Sequence, residues 1–408
     1  MSTILTTTTP SLTHQLHRLL HLPPSLRVFS TTTTPLSQLT SDLQKQQTMS
    51  NGYSTKGYSE SSNPKKRPPP SIPRPSASVL VISPNNQILL LQRVRQSSSF
   101  PSAHVFPGGN VSTFHDGDAP PPDHPGRHVD SEVYRLAAIR ETFEESGILL
   151  ARNNGFGRLI EVPEEEREEG RKAVHGNQVP FTQWLSQKGG RADLDGLLPF
   201  TRWVTPTNVP KRFTTQMYLY FLPTQSTTPL GAEGKEQEEE EVRIPVPTTD
   251  GGLEHTTARF LPASAWCRLA QEGRIILFPP QFYLLHQIAQ HFDDLKAPTD
   301  YASISKEAVP REELENRRKA LVEFVKSGSP PWTEKCISPI VQPSRDGKAR
   351  EDGRAVLGLN RPGPELENAG LERSGVREEC VLVDFQKGGP RRVAVISREE
   401  ALGSGAKL

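Results

Sequence analysis

The stretch Glu132–Leu150, EVYRLAAIRETFEESGILL, limits what this chain can fold into more than any other. Its spacing predicts one helix with a tight stop. Asp130 or Ser131 offers an N-cap, Glu132 suits the positive helix N-terminus, and Gly147 supplies a left-handed exit. At 3.6 residues per turn, Leu136, Ile139 and Phe143 share one side, and Glu141, Glu144 and Glu145 fall nearly opposite. Only the small Ala137 and Ala138 lie between those carboxylates, which leaves that face open to a ligand. Carboxylates on neighbouring turns repel unless a cation sits among them. Oxygen donors of this kind suit a hard divalent ion, Mg²⁺ or Mn²⁺. Taken alone, the glutamates read as a solvated acidic face; the registered glycines and Arg140 set them apart.

Glu132, seven residues and then Arg140-Glu141-Thr142-Phe143-Glu144-Glu145-Ser146-Gly147-Ile148 resembles the second half of the signature box of the Nudix hydrolases. Gly126 has the right count for the glycine that opens the box, but its neighbours do not look like the family's loop. Phe106-Pro107-Gly108-Gly109 does, so Gly109 is read as the box glycine and residues 110–130 as an insertion. Within the superfamily the chain resembles the peroxisomal coenzyme A diphosphatases. That likeness rests on Ala138–Glu145, the insertion, Trp203-Val204-Thr205-Pro206, Arg212-Phe213-Thr214-Thr215 and Pro279-Pro280-Gln281-Phe282-Tyr283. It covers about residues 77–293. An upstream coenzyme A motif is matched at Leu89, Leu90 and Arg93, but Ser98 stands where an arginine is expected and Ser102 where a glycine is.

The resemblance implies an α/β fold, a Nudix α/β/α sandwich with a mixed sheet. It implies metal-assisted attack of water on a phosphoanhydride with Mg²⁺ or Mn²⁺, splitting coenzyme A or acyl-CoA into 3′,5′-ADP and (acyl-)4′-phosphopantetheine. Glu144 and Glu145 would be direct ligands, Glu141 a ligand or the general base, and Arg140 the clamp on a glutamate. Gly108 and Gly109 would let the backbone approach the metal and phosphates. Glu132 is either a further ligand or a structural charge at the helix start. Glu254 matches an additional glutamate from outside the box. Lys211 and Arg212 either bind nucleotide phosphates or are strand-edge charges. Pro279–Tyr283 either lines the acyl side or is core. Two other functions stay open: the same chemistry on NADH or another nucleoside diphosphate derivative, and a Nudix fold that only binds nucleotide. The intact glutamate trio argues against the last.

The rest of the chain frames this unit. Even with 30 glycines counted, the apolar share stays below the usual ~45–50 %, and 38 prolines nearly double the ordinary share. Residues 1–75, rich in Ser, Thr and Pro and acid-poor at first, read as a disordered leader and possible mitochondrial transit peptide. Residues 76–293 form the Nudix domain with insertions at 110–130 and 223–253. The second insertion reads as solvated and not as a metal site; removal of residues 112–128 of the first is expected to leave metal binding intact while altering substrate preference. Strands are expected at Ala77–Ile82, Gln87–Gln92, Leu197–Pro206 and Phe213–Leu222. Helices are expected at Glu164–Lys172, Phe181–Gln187, Ala263–Glu272 and Gln281–Phe292. Residues 294–408 are a C-terminal extension with a helix at Arg311–Lys326, a loop over Pro343–Gly375 and a hairpin from Val381–Phe385 and Arg392–Ile396. A net charge of +1 and the lack of a long apolar run give no reason to expect nucleic acid or membrane as a partner. Cys267, Cys336 and Cys380 read as buried thiols. The closing Ala406-Lys407-Leu408 is a variant of the peroxisomal signal, so a peroxisomal import receptor is an expected partner; a start at Met49 would remove the mitochondrial leader.

Overall fold

A long, doubly buried strand sets the frame. β1 (Arg74–Ile82) is buried from Ser76 onward, as its near-continuous apolar run demands of a strand covered on both faces. In this computed structural model residues 69–97, 101–153, 159–224, 246–250, 254–293, 309–343 and 350–402 are described. The leader up to residue 68, the glutamate-rich part of the second insertion, Ser98 and the terminal tripeptide lie outside them.

The chain turns at Asn86, in the left-handed region at φ 57°, into β2 (Ile88–Arg93). β3 (His104–Val105) and β4 (Gly108–Asn110) follow, then a short 3₁₀ turn at Pro125–His128 and α1 (Glu132–Ser146). Gly147 stops α1 at φ 71°, its N–H returning to the Phe143 carbonyl, as the sequence predicts. Next come β5 (Ala151–Asn153), α2 (Glu164–His175), α3 (Phe181–Gln187), β6 (Gly190–Ala192), β7 (Leu198–Val204) and β8 (Phe213–Phe221). After the second insertion stand β9 (His255–Leu261), α4 (Ala263–Gln271), α5 (Pro279–Phe292) and α6 (Arg311–Lys326). The described chain closes with β10 (Cys336–Ile337), β11 (Ile340–Val341), β12 (Ala355–Leu359), α7 (Pro364–Asn368), β13 (Val376–Gln386), β14 (Gly389–Ser397) and α8 (Arg398–Leu402).

The central sheet runs β10-β7-β8-β1-β2-β3, with β4 added on β1 and β9 on β2. It is mixed: β1 lies parallel to β8 from Arg74↔Phe213 to Ile82↔Phe221, and antiparallel to β2 and β4. That register explains why β1 starts three residues before the expected Ala77. Period-two alternation sends Leu80, Ile82, Leu90 and Leu219 to one face, against α4, α5 and α6. Val79, Val81, Leu89, Leu91, Tyr218 and Tyr220 go to the other, against α1 and α3. This is the expected α/β/α sandwich.

Two expectations need correction. Ala137 and Ala138 do not lie on an open face of α1: both are fully buried core residues. The stretch 343–375 is not all loop. It contains β12 and α7, and β11-β12-β13-β14 form a second, antiparallel sheet. Leu357, Val381, Val383 and Val393 of that sheet join the core beneath α4 and α5, so this C-terminal part packs into the same body. Among the described residues no helix is long and apolar enough to cross a membrane.

Candidate active site

β4 runs antiparallel to β1, with Ser78 opposite Gly108 and Ala77 opposite Gly109, and this places both glycines against α1. The Gly108 N–H donates to Glu145 Oε2 at 2.8 Å. Its φ is 153°, and a Cβ there would stand 2.3 Å from the Ala77 carbonyl. A Cβ on Gly109 would sit 2.5 Å from Glu141 Oε1, so any larger residue there would push that carboxylate from its place beside Arg140. Gly126 instead faces His124 and Pro120 inside the insertion.

Arg140 is the hub. Its Nη1 donates to Glu141 Oε1 at 2.9 Å and to Glu144 Oε1 at 2.8 Å. Its Nε and Nη2 grip Asp116 at 3.0 and 2.8 Å, and Nη2 also reaches the Asn110 carbonyl at 2.9 Å. Burial works against this cation, but Glu141, Asp116 and Glu144 outweigh it and raise its pKa. Glu144 Oε2 faces His175 Nδ1 at 3.1 Å, and the Glu144 carbonyl accepts from Arg171 at 2.8 Å. Burial pushes Glu141 up to about 7; Arg140 opposes the shift and Glu144 adds to it. Glu145 is raised as well, by burial and then by Glu141, against the pull of the Gly108 N–H.

The other wall comes from the second insertion's end and β9. Glu254 pairs with Arg93 at 3.4 Å, and its backbone N–H donates to Asp250 at 2.8 Å. The His255 ring is fully buried, 3.6 Å from Glu145 Oε1 and 3.5 Å from Asp250 Oδ2. Burial first and Arg93 second push its pKa down to about 4. Together these groups enclose a cavity of about 360 Å³ whose lining includes Glu141, Glu144, Glu145, Asp250, Glu254, Arg140 and His175.

With that geometry in place, a family model described as the NUDT19 Nudix domain matches residues 123–288. The chain carries a Nudix domain. It is 26 % identical over 233 residues to "Putative nudix hydrolase 7" of Caenorhabditis elegans, covering 57 % of this chain and 65 % of that protein. It is 31 % identical over 186 residues to "Acyl-coenzyme A diphosphatase NUDT19" of Gallus gallus, covering 34 % of this chain and 49 % of that protein. The chain thus spans between about half and two thirds of the length of these curated relatives. A solved Nudix hydrolase from Alicyclobacillus acidocaldarius is similar at 22 % identity and a TM-score of 0.37, over 55 % of this chain and 98 % of that one.

In this Nudix domain the structure brings Arg140, Glu141, Glu144, Glu145, Gly108, Gly109 and Glu254 together at one site. Three expected residues stand elsewhere. Glu132 is exposed in the first turn of α1, and twelve residues of helix rise put it about 18 Å from Glu144, too far to share an ion. It stays as a charge at the helix N-terminus. Arg212 does not line the cavity: it is buried, donates to the carbonyls of Thr205 at 2.9 Å and Ser71 at 2.9 Å, and pairs with Glu365. Lys211 is exposed and does not line the cavity. Of the segment Pro279–Tyr283, Phe282 and Tyr283 are core, and the Tyr283 hydroxyl donates to Glu379. Ser102 has φ 57°, which gives the physical reason a glycine is expected there.

Four groups escaped the sequence reading: His175 and Asp250 in the cavity lining, and Asp116 and His255 packed behind it. Asp116 also ties the first insertion to the site. Its side chain is fully buried on Arg140, and the neighbouring His115 ties to Asn177 at 2.9 Å and to the Phe181 N–H at 3.2 Å. Deleting residues 112–128 should therefore weaken metal binding rather than spare it. Asp116→Asn is the milder form: a supporting shell of this kind is typically worth about 10–100-fold in metal affinity. Calorimetric titration with Mn²⁺ checks it, and an unchanged affinity would reduce the insertion to a surface loop.

Proposed function

We propose that the chain is a divalent-metal-dependent hydrolase of phosphoanhydrides, acting on coenzyme A or an acyl-CoA. One observation carries this reading. Five carboxylates line the cavity, while Arg140, the one arginine in its lining among the described residues, is already spent on holding two of them. A diphosphate entering such a site meets repulsion unless cations lie between. Burial first, with a neighbouring carboxylate adding to it, raises both Glu141 and Glu145. The donors are oxygens, converging from α1 and from Glu254, which fits Mg²⁺ or Mn²⁺.

Glu144, Glu145 and Glu254 would hold the metal. When bound, Mg²⁺ or Mn²⁺ offsets phosphate charge and lowers the pKa of water in the site. The chain's own residues supply the positioning. The Gly108 N–H fixes one oxygen of Glu145 and leaves the other free to face the cavity. Arg140 sets Glu141 and Glu144 side by side, so neither has to be ordered when substrate arrives. Glu141 would either join that set as a ligand or act as the base that takes a proton from water.

The substrate class rests on likeness: the relative from Gallus gallus is named an acyl-coenzyme A diphosphatase. Incubating the protein with Mg²⁺ and a panel of coenzyme A, acyl-CoAs, NADH and ADP-ribose, with products read by mass spectrometry, tests it. 3′,5′-ADP with a phosphopantetheine product supports the proposal; turnover of NADH alone moves the substrate elsewhere. Peroxisomal delivery through Ala406-Lys407-Leu408 belongs to the same proposal, and a tagged protein that stays punctate without Leu408 would contradict it.

A pH dependence follows from Glu141. Its pKa is raised in the folded chain, so it stabilises the metal-free fold below its unfolded pKa and that contribution is lost as pH rises through about 7. Glu145 acts in the same direction. Metal competes with those protons. The rise in melting temperature given by Mg²⁺ should therefore be small at pH 5.5 and grow to pH 8. Thermal scans with Mg²⁺ and with a chelator check this; a shift that shrinks with pH would contradict it.

A further inference from the structure

We propose that His255 is a nitrogen ligand in a metal site formed with Glu145 and Glu254, a site that favours Mn²⁺ over Mg²⁺. The inference rests on the carboxylate site described above and adds a donor to it. His255 opens β9, where the ladder with β2 shifts register between Gln92 and Arg93, and the shift turns its ring in behind the cavity wall. The ring is fully buried, and neither of its nitrogens has a hydrogen-bond partner among the described residues. Its surroundings are not those of an idle core residue.

Nε2 faces Glu145 Oε1 at 3.6 Å, while Nδ1 faces Asp250 Oδ2 at 3.5 Å. The other oxygen of Glu145 is held by the Gly108 N–H, so Oε1 is the one turned to the histidine. One ligand atom from each of Glu145, Glu254 and His255 lies within 4.8 Å of the others. Two donors on one ion, each at roughly 2.1 Å, stand about 3–3.5 Å apart, so a small closing movement completes the set. Asp250 on the far nitrogen reproduces the carboxylate–histidine–metal order that fixes ring orientation and leaves the near nitrogen's lone pair for the ion. The Asp250 carboxylate also accepts from the His255 backbone N–H at 3.1 Å, which locks strand and ring together. Imidazole suits transition ions, Fe²⁺, Ni²⁺ and Zn²⁺ most strongly and Mn²⁺ at the weak end of that series, whereas Mg²⁺ keeps to carboxylate and water oxygen. Between the two ions the carboxylates admit, His255 therefore tips the site toward Mn²⁺.

Pulsed electron paramagnetic resonance of the full chain loaded with Mn²⁺ reads this directly. The expected spectrum shows coupling to a directly bound imidazole nitrogen. His255→Gln should abolish that coupling and weaken Mn²⁺ binding about 10–100-fold, with Mg²⁺ affinity moving much less. His175→Gln and His115→Gln, at the other histidines of the cavity, should keep the coupling. Bound Mn²⁺ without nitrogen coupling, coupling that survives His255→Gln, or coupling lost in His175→Gln would each overturn the assignment. If His255→Gln fails to fold, the wild-type spectrum and the two other variants still decide. A wild-type protein that binds no Mn²⁺ would sink this inference together with the carboxylate site. Mn²⁺ bound without nitrogen coupling sinks the histidine alone.

Discussion

Glu145→Gln is expected to leave a folded protein whose hydrolysis is slower by about 10³-fold or more. The substitution keeps the shape of the side chain and removes one charge from the point where Gly108, Glu254 and His255 converge. Glu145 is buried and carries a raised pKa, so the neutral amide relieves repulsion with Glu141 and the metal-free fold gains stability. Function moves the other way. Loss of a ligand removes several kcal/mol of transition-state stabilisation, and each ~1.4 kcal/mol is tenfold in rate. Single-turnover rates at saturating Mg²⁺ and Mn²⁺, beside a thermal scan, separate the two effects. A rate within a few-fold of wild type would take this helix out of the chemistry.

Arg140→Leu has the opposite signature, a large loss of stability. The guanidinium is buried and joins Asp116, Glu141 and Glu144, and a leucine leaves all three carboxylates without their counter-charge. Removing one partner from a buried ionic set costs about 3–5 kcal/mol, a large part of a typical total of roughly 5–15. For a domain of this size the melting temperature should fall by on the order of 10 °C. Excess Mn²⁺ should recover part of it, because the ion offsets the same carboxylates. Arg140→Lys should recover little, since a point charge cannot fork toward Asp116, Glu141, Glu144 and the Asn110 carbonyl together. A fall of under about 2 °C for Arg140→Leu would contradict the hub role.

What the sequence made legible was local. Gly147 stops α1, Asn86 turns the first hairpin, and the apolar runs of β1 and β8 sit where periodicity puts them, because each signal lies within a few residues of its effect. Gly109, preferred to Gly126 from its neighbours alone, lies against the Glu141 carboxylate. What stayed hidden was non-local. Asp116 lies in a segment whose prolines and aspartates read as loop, and nothing local announces a partner on a helix that begins sixteen residues later. His255 sat beside a noted glutamate, but only the register shift on β2 turns it inward. Arg212 looked like a free cation at a strand edge because its partner, Glu365, belongs to a short helix in a stretch read as loop. β12 is five residues long and too short for periodicity to separate from loop.

The proposed function claims that water attacks a phosphorus atom at the Glu141–Glu144–Glu145 site only when a divalent ion is held there. Hydrolysis of coenzyme A in ¹⁸O-water, followed by mass spectrometry with Mg²⁺ and with excess chelator, measures that claim directly. The predicted result is a single ¹⁸O in a phosphoryl group of one product, present with metal and lost on chelation. Turnover that continues undiminished in chelator, or product that carries no ¹⁸O on phosphorus, would contradict it.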